Sequence, residues 1–127
     1  MQLNPDLVVA WQSGNPRTSI NRLRKLGLPV YIAEPKSLAS IPFHIERLAL
    51  LAGTKLRAEE TINGFRQKLK ALHNQFSHQS PVTTFYQVWD VPLITAGGNE
   101  LIDDIIRLCG GRNVSVSYTH LTLPTKA

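Results

Sequence analysis

The sequence predicts an α/β fold in which short parallel strands alternate with amphipathic helices. Two continuous apolar runs, residues 7–10 and 30–33, have the length and composition of strands that are buried on both faces of a parallel sheet. A long segment also carries apolar residues at alternating spacings of three and four, which is typical of a helix. With 127 residues and 43% hydrophobic content, the chain is expected to fold around a core.

The first helix is predicted between the two strands. Asn15 can cap it, Pro16 suits its first position, and Gly27 is expected to end it. A strand, a helix and a second strand within so short a segment predict a right-handed βαβ unit with parallel strands.

Two further helices are predicted in the middle of the chain. One begins near Ser37 or Ser40 and stops at Gly53, and Thr54 caps the next. The helix that Thr54 caps is expected to have about 23 residues and a length of about 35 Å. This length exceeds the span of a single small sheet, so we expect the helix to connect two lobes as a strut. Its predicted buried stripe consists of Ile62, Phe65, Leu69, Leu72 and Phe76.

The last elements are a strand over residues 82–89, a loop over residues 90–98 and a helix that Asn99 caps. On this helix, Asp103 and Asp104 are expected to form a hydrated face rather than a general acid and base pair. Cys109, the single cysteine, is expected to be buried, and it excludes an internal disulfide or a zinc cluster of cysteines.

The charge balance is basic, with 14 Lys and Arg against nine Asp and Glu. Most of the excess lies between Arg17 and Lys70 on predicted helices, without interleaved aromatic residues, so it predicts a solvated face and no nucleic-acid partner. The apolar runs are too short to span a bilayer, and residues 1–5 lack the pattern of a signal peptide. Either the protein is cytosolic, or Met1 is an internal methionine of a longer exported protein.

The sequence contains three motifs, PDLVVAW at residues 5–11, FYQVW at residues 85–89 and LCGGRNV at residues 108–114. Each motif alone is a weak signal, but their order and spacing together are specific. Together they resemble the cobalamin-binding proteins of the class III periplasmic-binding family. The resemblance implies two α/β lobes joined by a rigid helix, with ligand in the cleft between them and no catalysis. It divides the chain into the end of the first lobe (1–53), the connecting helix (54–78), the start of the second lobe (82–114) and a tail (115–127).

From residue 116 onwards the tail resembles the translated transposon-end adapter of sequencing libraries, so His120 is not treated as functional. The chain is therefore expected to be a fragment whose parent is periplasmic or held outside the cytoplasm by a lipid anchor. The resemblance further implies an ABC permease as partner, a monomeric state and no cofactor or metal of its own, because cobalamin is the transported ligand. Haem and a ferric siderophore remain alternative ligands.

Ligands of open α/β sheets bind beyond the carboxyl ends of the strands, which directs attention to residues 11–15, 34–35 and 89–95. A tryptophan can cover the face of a corrin or porphyrin with a large buried area. The expected ligand-binding residues are Trp11, Gly14, Asn15, Tyr86 and Trp89. Arg17 is expected to contact the permease, although the family carries an acidic residue at that place.

A different class of function is an α/β enzyme or a subunit that carries a metallocluster. The chain lacks a GKS/T, a GxSxG and a GxGxxG motif, and no catalytic residue is predicted. His73 and His78 lie five apart, not on one helical face, so no metal site is predicted either. The accessibility of Cys109 bears on this alternative, because a nucleophile or cluster ligand requires an accessible thiolate.

Overall fold

The computed structural model describes residues 3–116. In chain order the elements are β1 (Val8–Ala10), α1 (Arg17–Lys25), β2 (Val30–Ile32), a 3₁₀ helix (Leu38–Ser40), α2 (Ile41–Leu51), α3 (Lys55–Phe76), β3 (Val82–Thr84), β4 (Gln87–Trp89), β5 (Ile94–Thr95), α4 (Leu101–Leu108) and β6 (Gly111–Asn113). They form two compact units, of which the first ends at Pro35 and the second begins at Lys36. The lobe boundaries proposed from the sequence concern the family fold and stay predictions.

The first unit is the predicted βαβ unit. β1 and β2 pair in parallel with Val8 opposite Val30, and α1 connects them. Gly27 follows the helix with a φ of 80°, a conformation that glycine adopts without a steric penalty. The prediction that β1 is buried on both faces is wrong, because Val9 is 52% exposed. In the part of the chain that is described, the sheet has two strands and α1 packs beside β2, which leaves one face open.

The second unit begins with the predicted helix pair. Ser37 caps the 3₁₀ helix through a reciprocal pair of hydrogen bonds with Ser40, and α2 continues directly from it. α2 and α3 pack against each other, with Ala49, Ala58 and Ile62 at the buried centre and Ile45 packed against them.

α3 is one continuous helix of 22 residues, which confirms the predicted long helix. The predicted burial of its whole apolar stripe is wrong. Ile62 is buried, Phe65, Leu69 and Phe76 are half-buried, and Leu72 is 37% exposed. α2 has 11 residues, half the length of α3, so it covers the first part of the stripe and leaves the later part more open.

The single strand predicted over residues 82–89 is wrong, because the segment divides into two strands that join different sheets. β3 pairs in parallel with β6, whereas β4 pairs antiparallel with β5. The alternation of β-branched and aromatic residues is equally compatible with one strand or two, because it reports a local conformation and not a pairing partner. The partners β5 and β6 were not predicted.

α4 differs from its predicted surroundings. Asp103 is 1% exposed, and its Oδ2 lies 2.7 Å from Arg107 Nη2. Asp104 Oδ2 accepts a hydrogen bond of 2.9 Å from Leu38 N. The prediction of a hydrated acidic face is therefore wrong, because α4 packs on both β6 and the 3₁₀ helix. Glu100 takes the N-cap position expected for Asn99, and Cys109 is exposed rather than buried.

The proposed tail begins within the described residues and continues beyond them. Ser115 is buried, and Val116 O accepts a hydrogen bond of 3.1 Å from Gly98 N, so the start of the tail contacts the loop before α4. The remainder of the adapter-like segment, with His120, lies outside the described residues. No helix within residues 3–116 is long and apolar enough to cross a membrane.

Candidate functional site

Trp11 lies directly after β1, at the carboxyl end of the strand, and is 54% exposed. It opens a compact loop, residues 11–15, which we call the Trp11 loop. Asn15 closes this loop twice, because Trp11 N donates to Asn15 Oδ1 at 3.0 Å and Asn15 N donates to Trp11 O at 3.0 Å. The predicted capping role of Asn15 is wrong, since α1 starts after Pro16 and its N-cap makes no side-chain hydrogen bond.

Gly14 lies beneath the indole of Trp11. A Cβ atom at Gly14 would overlap Nε1 and the neighbouring ring carbons of that indole. The absence of a side chain at position 14 therefore allows the tryptophan to lie across its own loop. This is a steric requirement for glycine, separate from any need for an unusual backbone conformation.

Glu34 connects the Trp11 loop to the second strand. Its Oε2 accepts hydrogen bonds from Gln12 N at 2.6 Å and from Ser13 N at 3.2 Å. The parallel pairing of Ala10 with Ile32 brings the carboxyl ends of β1 and β2 side by side, so the residues that follow them are within reach of each other. Residues 34–35 were expected to lie at a strand end, but no role was predicted for Glu34.

Arg17 is the first residue of α1 and is exposed. The helix carries Arg22, Arg24 and Lys25 in its last turn and no acidic residue in its first turn. A cation at the start of a helix is disfavoured by the helix dipole, so Arg17 does not serve the stability of α1. Beside it lies an open groove of about 360 Å³ whose lining includes Arg17 and Arg24.

Tyr86 and Trp89 lie in the second unit, within residues 86–95, which we call the Trp89 segment. Trp89 ends β4 and is 60% exposed, and its Nε1 donates to Val91 O at 3.0 Å. Tyr86 is 41% exposed, and its carbonyl oxygen accepts a hydrogen bond of 2.8 Å from Thr95 Oγ1. The Val91–Pro92 peptide bond is cis. Of the five expected ligand residues, Trp11, Gly14 and Asn15 therefore share one loop, and Tyr86 and Trp89 share another.

Potential metal ligands are dispersed over the described residues. No group of three or more His, Cys, Asp or Glu side chains within residues 3–116 is arranged to hold a metal ion. His73 and His78 are both exposed, and they lie on and just beyond α3.

The sequence of the chain is similar to those of known proteins. The family model described as "Periplasmic binding protein" matches residues 1–121. The Vitamin B12-binding protein of Yersinia pestis is 32% identical over 114 residues, which is 90% of this chain and 41% of that protein. The chain thus spans about two fifths of the length of the curated relatives that it matches.

Solved structures agree with this assignment. The periplasmic Vitamin B12 binding protein BtuF of Vibrio cholerae superposes with a TM-score of 0.81 at 31% identity, covering 95% of this chain and 49% of that chain. A periplasmic heme-binding protein from Roseiflexus gives a TM-score of 0.83 at 23% identity, with 95% and 49% covered, and supports the fold alone. The chain belongs to the periplasmic binding protein family, and its α/β fold is part of the two-lobed fold of that family.

Proposed function

We propose that the protein binds a corrinoid, with cobalamin as the first candidate, and delivers it to an ABC importer. The observation that carries the proposal is Trp11, a large aromatic side chain that is 54% exposed at the carboxyl end of a parallel strand. In open α/β sheets this edge is the usual place for ligands. An indole held there by its own loop offers a flat apolar face to a flat macrocycle.

Each of the other expected residues has a part in the proposal. Gly14 lets the indole lie across the loop, and Asn15 closes the loop through its carboxamide and its backbone. Trp89 supplies a second exposed indole, and Tyr86 supplies a smaller aromatic surface with a polar end. No residue is assigned to catalysis or to holding a metal, since the metal of a corrinoid arrives inside its own macrocycle.

The preference for a corrinoid rests on the relatives at higher identity. The matches at 31% and 32% identity are named as vitamin B12-binding proteins. The heme-binding proteins of Roseiflexus and Vibrio cholerae are 23% and 20% identical, so they support the fold and not the ligand. Haem is the second candidate, and a ferric siderophore is the third.

Calorimetric titration tests the ligand directly. The protein expressed from its full reading frame is titrated separately with cyanocobalamin, haemin and a ferric siderophore. We expect saturable binding of cyanocobalamin that is at least about tenfold tighter than binding of the other two, a difference of about 1.4 kcal/mol. Preference for haemin or for the siderophore would replace cobalamin as the ligand, and no binding of any of them would reject the function.

The proposal includes an ABC permease as partner and a location outside the cytoplasm, either periplasmic or lipid-anchored. Arg17, which does not suit the start of a helix, is proposed to meet an acidic residue of that permease. Its charge is opposite to that expected for the family, so a permease with arginines at the docking site would be the wrong partner.

The permease of the same genomic locus, reconstituted in vesicles, tests this docking. Arg17→Glu is expected to reduce stimulation of its ATPase, whereas Lys68→Glu on the exposed side of α3 is not. Equal stimulation by the wild type and by Arg17→Glu would remove Arg17 from the interface.

An α/β enzyme or a metallocluster subunit is the alternative of a different class. Because Cys109 is exposed, its accessibility does not argue against this alternative. The binding function is favoured by the relatives, which are named as binding proteins. Alkylation of Cys109 by iodoacetamide is expected to leave cyanocobalamin affinity unchanged, and a loss of binding would reopen the role of the thiol.

A further inference from the structure

The Glu34 carboxylate lies against the backbone of the Trp11 loop. Oε2 accepts from two successive amides, Gln12 N at 2.6 Å and Ser13 N at 3.2 Å. These amides are the first two after Trp11, so the contact fixes the peptide planes that set the direction of the indole. Within residues 3–116, Glu34 takes part in neither of the ion pairs, so its charge acts on the loop.

The contact joins two points that are distant in sequence, 22 and 21 residues apart. The remaining constraints on the loop are local, because Asn15 closes it over four residues and Gly14 supports the indole from below. A loop closed only by local hydrogen bonds can pivot as a body about its connections to β1 and α1. The hydrogen bonds to Glu34 add a connection from the loop to the residue that follows the end of β2, which pairs with β1.

We propose that Glu34 is a positioning residue for ligand binding, which acts by holding the indole of Trp11 at a fixed angle to the strand edge. The inference rests on the proposed function, since it assigns Glu34 a part in the same site. Hydrogen bonds from amides to a carboxylate are stronger than those to a neutral oxygen, so the charge as well as the shape of the side chain matters. Glu34 itself need not touch the ligand.

The first test requires no ligand. Trp11 and Trp89 are the two tryptophans of the chain, so Trp89→Phe leaves Trp11 as the single indole fluorophore. In that background, Glu34→Ala is expected to lower the steady-state fluorescence anisotropy of Trp11 and to raise its acrylamide quenching constant by about 1.5-fold, because the loop is released. Glu60→Ala, which removes an exposed glutamate of α3, is the matched control and is expected to change neither.

The second test measures affinity for cyanocobalamin by calorimetry, with the protein expressed from its full reading frame. Glu34→Ala is expected to weaken binding about tenfold, the scale of one charge-assisted hydrogen bond. Glu34→Gln, which keeps a neutral carbonyl acceptor, is expected to lose less. In a Trp11→Ala background, Glu34→Ala is expected to change affinity by less than about twofold, because the side chain that it positions is gone.

The outcomes separate the inference from the function on which it rests. If the wild type does not bind cyanocobalamin, haemin or a ferric siderophore, the proposed function fails, and the fluorescence result alone decides whether Glu34 holds Trp11. Unchanged anisotropy and quenching in Glu34→Ala would overturn the inference even if the ligand binds. A full tenfold loss that persists in the Trp11→Ala background would also overturn it, since Glu34 would then act independently of Trp11. Circular dichroism melting of each variant distinguishes these results from unfolding.

Discussion

The two exposed tryptophans of the chain are held in different ways. The Trp11 loop is tied to the neighbouring strand end by Glu34, over 22 residues of sequence, and its indole lies on Gly14. The Trp89 segment is an antiparallel pair of very short strands with an irregular register, in which Trp89 pairs with Ile94. The Trp89 indole N–H is bound to Val91 O, two residues further along.

This difference has a chemical consequence for ligand binding. Within residues 3–116 no hydrogen bond is recorded for Trp11 Nε1, so the exposed indole offers both a ring face and a polar donor. Trp89 has its donor occupied by its own segment and offers only its ring. A ligand acceptor can bind the Trp11 ring N–H without displacing an internal hydrogen bond, whereas the Trp89 ring N–H is already bound to Val91 O, so we expect Trp11 to contribute more to affinity.

The largest expected effect is the loss of that anchor. Trp11→Ala is expected to weaken binding of cyanocobalamin by about 1 to 3 kcal/mol, as for removal of a buried aromatic contact. Trp89→Ala is expected to cost less than Trp11→Ala when both are measured by calorimetry on the protein expressed from its full reading frame. An equal or larger loss in Trp89→Ala would show that Trp11 is not the main aromatic contact, and unchanged affinity in Trp11→Ala would remove Trp11 from the site.

A smaller effect is expected from filling the space under the indole. Gly14→Ala places a Cβ where the Trp11 ring lies, so the ring must leave its position. We expect an affinity loss of about 1 to 2 kcal/mol, the scale of an overpacked contact. Gly64→Ala is the control, because a Cβ there meets nothing within 4 Å.

Gly64 lies inside α3, where alanine favours the helix by about 0.5 to 1 kcal/mol. The control is therefore expected to raise the unfolding free energy without changing affinity. Tight binding by Gly14→Ala would show that the indole has room to move without loss of function.

The Trp89 segment is tested through Thr95, which is 4% exposed and donates to Tyr86 O. Thr95→Val keeps the shape and removes this hydrogen bond, so we expect the unfolding free energy to fall by about 1 kcal/mol in urea titration. Thr61→Val is the matched control, because the Thr61 hydroxyl is exposed and bonds to Arg57 O within its own helix. Equal losses in both variants would indicate that Thr95 does not specifically hold Tyr86.

The smallest effect is expected from the surface pair of Lys55 and Glu59 in α3. Their charged atoms are 4.0 Å apart, and their side chains are 64% and 57% exposed. Lys55→Ala is expected to change the unfolding free energy by less than about 0.5 kcal/mol. A loss of more than about 0.5 kcal/mol would show that this exposed ion pair contributes to the stability of the helix.

Local patterns predicted the elements whose cause is local. The βαβ unit, the continuous α3 and the helix end at Gly27 follow from apolar spacing and glycine geometry, which a sequence displays directly. The division of residues 82–89 between two sheets does not follow from local patterns. β6 lies almost thirty residues after β3, and strand pairing at that distance leaves no periodic signal in the sequence.

The site was predictable only in part, for the same reason. Trp11 and Trp89 are predicted as ligand residues because they lie at strand ends, and that role stays a prediction. Glu34 was missed, since its role depends on the parallel register that brings it to Gln12 N and Ser13 N. Asn15 was read as a helix cap because its side chain suits both a cap and a loop closure, and composition does not distinguish the two.

The hydrogen bond from Leu38 N to Asp104 Oδ2 joins residues that are 66 positions apart. During synthesis on a ribosome, Leu38 leaves the exit tunnel long before Asp104 has been added to the chain. The 3₁₀ helix and the α2–α3 hairpin can form early from local contacts, whereas the amide of Leu38 must stay bound to water until α4 emerges. A chain stalled before residue 104 is therefore expected to contain a folded helical hairpin. The segment that precedes this hairpin lacks its hydrogen bond to Asp104, so we expect proteases to cut it near residue 38.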